Sequence, residues 1–127
     1  MTLPILYNIE NKSVFSELLQ NNPGVVIIKF GAEWCGPCKK IEALVSRCIE
    51  QMPDNIQCVM VDVDKSIEIY GFLKTKKMIN GIPAILAYYA GNHNYIPDDA
   101  VIGADPSQVK MFFERCLEHS CSASAST

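Results

Sequence analysis

The chain has 127 residues, 49% hydrophobic and 9% aromatic, which suits one domain with a core of its own and predicts no second one. A net charge of −3 excludes the basic face that tracks a nucleic-acid backbone, and no apolar run reaches the roughly 18 residues needed to cross a bilayer. Met1-Thr2-Leu3-Pro4 lacks the basic segment and apolar stretch of a secretory leader, so the expected location is cytoplasmic and reducing.

Residues 5–7 read as a short first strand, and Val14, Phe15, Leu18 and Leu19 mark a helix that Asn22-Pro23-Gly24 ends. The run Val25-Val26-Ile27-Ile28, closing in Lys29-Phe30-Gly31, reads as a buried strand feeding a loop. After Trp34-Cys35-Gly36-Pro37-Cys38 the period changes. Ile41, Leu44, Val45, Cys48, Ile49 and Met52 form the stripe of one amphipathic helix, which Pro53 closes. Residues 57–63 alternate as a strand with Asp62 and Asp64 at its carboxyl end, 66–78 read as helix and 84–89 as strand. Gly91-Asn92 then opens a turn toward a strand at 100–102. Asp105-Pro106 supplies the N-cap and first-turn proline of a last helix striped by Val109, Phe112, Phe113, Cys116 and Leu117. This order predicts an α/β fold, a central mixed sheet with helices on both faces that ends in an antiparallel hairpin. A single domain spans 1–119, and the small residues of 120–127 read as a flexible tail.

The dithiol lies where a strand hands over to a helix N-terminus. Unpaired backbone N–H groups and the helix dipole favour a thiolate there, so Cys35 is expected to be the acidic, attacking thiol. Cys38, one turn further on, is expected to be more shielded and to act second. Gly36 lets the backbone approach closely, and Pro37 sets a helical φ without needing an N–H bond.

A zinc site would need two more ligands, and the nearest candidates, Cys116, His119 and Cys121, lie on or beyond the last helix. A purely structural disulfide at this spacing closes too small a loop to remove much chain entropy. Cys48, Cys58 and Cys116 fall on apolar stripes and read as core residues, while Cys121 reads as an incidental exposed thiol able to link chains under oxidation. Lys74, Lys76 and Lys77 read as a solvated helix end, and His93 is too isolated to be catalytic.

Trp34-Cys35-Gly36-Pro37-Cys38-Lys39 resembles the thioredoxin active-site signature, and the element order resembles the thioredoxin fold over about residues 5–118. Gly81-Ile82-Pro83 is similar to the family's cis-proline loop, Asp64 to its aspartate after the third strand, and Gly103 to the glycine lining its substrate groove. The resemblance implies that a cis Ile82-Pro83 bond places the Ile82 backbone beside Cys35, where a bound polypeptide pairs as a short strand, with Trp34 as one wall. It further implies a thiol–disulfide oxidoreductase that reduces protein disulfides without a bound cofactor. A reductase or a small thiol would recycle it, and monomer is the expected state. Disulfide isomerase or oxidase activity, and a binding module with incidental redox activity, are the alternatives.

The chain also departs from the family. Lys29 stands where a buried aspartate is usual, Met60 replaces that aspartate's lysine neighbour, Ala43 replaces a helix-kinking proline, and Gly31 replaces a common tryptophan. The third helix and the final hairpin look about four residues longer, the latter through residues 92–99. Burial penalises a charged Lys29 whereas a thiolate favours it. Charged, it would raise the reduction potential; neutral, it would accept the Cys38 proton; a third reading has it snorkel to solvent.

Overall fold

The computed structural model describes residues 2–125, with side chains as far as Ser122. Strand β1 (Leu6–Tyr7) precedes helix α1 (Lys12–Gln20), which opens where the Asn11 side chain accepts the Val14 N–H at 3.0 Å. Strand β2 (Val25–Gly31) is followed by α2 (Gly36–Lys40), α3 (Glu42–Glu50), β3 (Ile56–Asp62) and α4 (Ile67–Thr75). The chain then runs through β4 (Ala84–Tyr89) and β5 (Asp99–Ile102) to α5 (Pro106–Ala125). The strands line up as β1-β3-β2-β4-β5, with β1, β3 and β2 parallel and β4 antiparallel to both neighbours.

All seven residues of β2 are buried, because layers of helices cover both faces of the sheet. Alternation divides them: Val26, Ile28 and Phe30 pack with Phe15 and Leu19 of α1 and with Ile69 and Leu73 of α4. Val25 and Ile27 point the other way, toward Val45 and Ile49 of α3 and toward Val109, Phe112 and Phe113 of α5. By the same parity Lys29 and Gly31 also face the α3 and α5 side, where they continue an otherwise apolar row toward the active-site end of the sheet.

Three sequence readings need correction. The helix after the dithiol is two helices, broken at Ile41 (φ −104°, ψ 1°), whose carbonyl accepts the Val45 N–H at 2.8 Å. Ile41, Val45 and Ile49 stay buried through the break, so the side-chain spacing on which periodicity rests does not register it. The last helix does not end near residue 119 but continues to Ala125. Ser120 is buried there, donating its hydroxyl to the Leu117 carbonyl at 2.9 Å while its own carbonyl accepts from Asn55 at 3.0 Å. The segment holds neither Gly nor Pro to stop a helix, and residues 126 and 127 of the expected tail lie outside the described residues. Cys58 and Cys116 are buried as expected, but Cys48 is half-buried. The long connection before β5 folds back onto the core, its Tyr95 carbonyl accepting the buried Tyr88 hydroxyl at 2.7 Å.

The centre of the sheet carries a direct prediction. Leu86 is fully buried opposite Ile28 in the β2–β4 register, so Leu86→Ala should lower unfolding free energy by about 3 kcal/mol in a urea titration. A loss well under 1 kcal/mol would mean the site is not packed as described.

Candidate active site

The chain leaves the end of β2 through a tight turn in which the Cys35 N–H donates to the Ala32 carbonyl at 3.2 Å. Cys35 then caps α2, and its Sγ accepts the Cys38 N–H at 3.2 Å. Cys35 and Cys38 are joined as a disulfide across a Cα–Cα distance of 5.3 Å. Because α2 has only five residues, this single aimed N–H, more than a long helix dipole, is what the fold offers to charge on Cys35. The expected contrast in shielding is absent, since Cys35 is 4% and Cys38 5% exposed. Their surroundings differ instead. Cys35 Sγ lies 3.9 Å from the Ile82 carbonyl oxygen, whereas Cys38 lines a cleft on the far side of the motif.

The Ile82–Pro83 bond is cis, and the Pro83 carbonyl accepts the Gly103 N–H at 2.8 Å. Gly103 takes φ +104°, a conformation that favours glycine, so the three residues named by resemblance meet at one end of the sheet. Trp34 is 68% exposed, and its indole N–H donates to the Asp64 carboxylate at 2.7 Å, which fixes a large apolar surface beside the dithiol. Gly36 has nothing within 4 Å of where a Cβ would be, so the close approach expected there is not one within this chain. Lys74, Lys76 and Lys77 are exposed at the end of α4, as the sequence suggests, and Lys74 and Lys76 also lie over the rings of Tyr70, Phe72 and Tyr95.

Lys29 pairs in register with Met60 on β3, so the lysine stands beside a thioether and not beside a charged partner on that strand. It is only 8% exposed and makes no hydrogen bond or ion pair among the described residues, and its amine reaches water through the cleft it lines. Burial holds its pKa below the ordinary 10.5, and the Glu42 carboxylate opposes that effect. The amine lines a cleft of about 510 Å³ together with Gly31, Cys38, Glu42, Met60 and Asp62. Sequence reasoning singled out Lys29 but missed Glu42 and the cleft, because only the docking of α2 and α3 on β2 and β3 creates them.

Two predictions follow from this geometry. Trp34 is the sole tryptophan, so its emission reads the site directly. Asp64→Ala should lower the fluorescence anisotropy of the indole, and an unchanged anisotropy would mean the hydrogen bond does not hold the ring. For Lys29, the unfolded chain binds more protons than the folded one in the pH window just below 10.5. Stability therefore rises with pH through that window, and the cost of burial is fully present below it. Lys29→Met should raise the melting temperature at neutral pH by a margin that shrinks toward pH 10.5. A margin independent of pH would contradict it.

Comparison with known proteins agrees with this geometry. The family profile described as Thioredoxin matches residues 7–114. Thioredoxin 1 of Plasmodium falciparum is 29% identical over 107 residues, covering 84% of this chain and 93% of the relative. The chloroplastic thioredoxin M-type of Pisum sativum is 31% identical over 96 residues, or 76% of this chain, which spans about half (51%) of that relative's length. The solved structure of Trichomonas vaginalis thioredoxin matches with a TM-score of 0.70 at 26% identity, covering 88% of this chain and 96% of that one. With the dithiol, the sheet order and most of the chain's length matched together, the protein belongs to the thioredoxin family of thiol–disulfide oxidoreductases.

Proposed function

We propose that this chain reduces disulfides in other proteins, with Cys35 as the attacking thiol and Cys38 as the resolving one. The observation that carries the reading is the pairing of Cys35 Sγ with the Cys38 N–H on one side and the Ile82 carbonyl on the other. The N–H supports negative charge on the attacking sulfur. The Ile82 carbonyl is a backbone acceptor beside it for an incoming extended peptide. Cys35 attacks one sulfur of the substrate disulfide to form a mixed disulfide and expels the other sulfur as a thiolate. Cys38 then attacks Cys35, the second substrate thiol departs, and the Cys35–Cys38 bond remains with the two electrons transferred. Pro37, Pro83 and Gly103 hold the groove, and the exposed face of Trp34 gives an apolar substrate a surface to cover.

A thioredoxin-reductase-like protein or a small thiol returns the electrons, and the working unit is a monomer. Cys48, Cys58, Cys116 and Cys121 are free thiols, which suits a reducing compartment, and we place the protein in the cytoplasm. No helix among the described residues is long and apolar enough to cross a membrane.

Turbidity from insulin reduction with dithiothreitol as electron source tests the reading. Cys35→Ser should slow the reaction by ~100-fold or more, and Cys38→Ser should accumulate a covalent complex between protein and insulin chain. Equal rates in wild type and Cys35→Ser would favour a binding module whose redox chemistry is incidental.

A further inference from the structure

Within β2, residues 29 and 31 are two positions apart, so the Lys29 side chain and the missing side chain of Gly31 face the same way, toward α2. A Cβ built on Gly31 would lie 3.5 Å from Cys38 Sγ and 3.7 Å from Lys29 Nζ, the two nearest atoms, with Cys38 Cβ third at 3.8 Å. The amine and the second sulfur thus both adjoin the space that a side chain at residue 31 would enter, and lie no more than about 7 Å apart. We propose that Lys29 is the proton acceptor for Cys38 in the resolving step, and that Gly31 keeps open the space through which the proton passes.

The proposal rests on the exchange reaction described above and adds the fate of its proton. Cys38 is only 5% exposed, and loss of hydration works against the thiolate that must attack the mixed disulfide. A base suited to a thiol has a proton affinity near the thiol's own, about 8.5 in pKa. Burial moves the Lys29 amine down from 10.5, toward that range. The other charged or titratable groups facing this cleft are Tyr7 of β1, Lys39 of α2, Glu42 of α3, Asp62 of β3, and Glu33 and Lys65 in the adjoining turns. Among the carboxylates, Asp62 already accepts the Asp64 N–H at 2.9 Å, and no carboxylate oxygen is among the three atoms nearest the Gly31 Cβ position.

In the step, the neutral amine takes the proton of the Cys38 thiol and becomes an ammonium ion. The Cys38 thiolate attacks the Cys35 sulfur of the mixed disulfide, the bond between Cys35 and substrate breaks, and its electron pair leaves with the substrate sulfur as a thiolate. That thiolate is protonated from solvent, while Lys29 releases its proton into the open cleft. Charge and electrons balance, with two electrons passing from the dithiol to the substrate disulfide over the whole cycle.

The reduced full chain, carrying Cys48→Ser and Cys121→Ser to remove its accessible free thiols, is mixed in stopped flow with dithiobis-nitrobenzoate. The first thionitrobenzoate released reports the Cys35 attack and the second reports resolution by Cys38. Lys29→Met should leave the first phase within about two-fold, slow the second by ~100-fold and move its pH profile upward. Lys29→Arg, which keeps a cation but holds its proton, should slow the second phase too. Gly31→Ala should do likewise; its methyl would make only ordinary contacts, so it serves if a lysine variant fails to fold. An unchanged second phase in Lys29→Met or Gly31→Ala overturns the proposal, as does full rescue by Lys29→Arg, which would reduce Lys29 to a charge. A wild-type first phase no faster than a free thiol would instead strike the exchange reaction, and this proposal with it.

Discussion

Strand β2 is hydrogen-bonded on both edges and covered on both faces, and every part of the active site is referred to it. Val25, Val26, Ile27, Ile28 and Phe30 are all at most 1% exposed, and burying each such side chain contributes about 2 kcal/mol before ordering costs. Rigidity follows from that burial. A strand held by parallel pairing to β3 and antiparallel pairing to β4 cannot slip by one residue without turning its whole apolar set to the opposite helices. Its carboxyl end therefore delivers Cys35 to one place, while β4 and β5 bring Pro83 and Gly103 to meet it.

The site then divides into two sides with different chemistry. On one side, Cys35 lies beside a backbone carbonyl, a cis-proline loop and an exposed indole tied to Asp64, which in the proposed reaction receive the substrate chain. Toward the sheet interior, Cys38 faces a cleft with an amine, a thioether and carboxylates. Two sulfurs of equal exposure thus differ in their neighbours. In a reaction where one sulfur must meet a substrate and the other must only lose a proton, that difference matters more than accessibility does.

Lys29 breaks a local packing rule beside the dithiol. A lysine in an apolar row, beside a methionine and without an ion-pair partner among the described residues, lowers stability through desolvation. Such conflicts are expected where chemistry, not packing, chooses the residue. Gly31 belongs to the same neighbourhood, because a side chain there would touch both the amine and the sulfur.

The order of strands and helices, the apolar row of β2, the dithiol at a strand-to-helix junction and the resemblance carried by Ile82-Pro83 and Gly103 were all legible in the chain, because periodicity, turn residues and short motifs are local properties. The break at Ile41 was not, since it leaves the spacing of buried residues intact, and the continuation of α5 was not, since Asn55 and Ser120 meet only after folding. Sequence alone also left three fates open for Lys29: charged, neutral or snorkelling. Packing α2 and α3 over β2 and β3 buried most of that side chain, set Glu42 near it and brought the amine and Cys38 Sγ within 4 Å of one point beside Gly31. A pKa and a proton path depend on which distant residues come within a few ångströms of one another, and that is decided by packing across the chain.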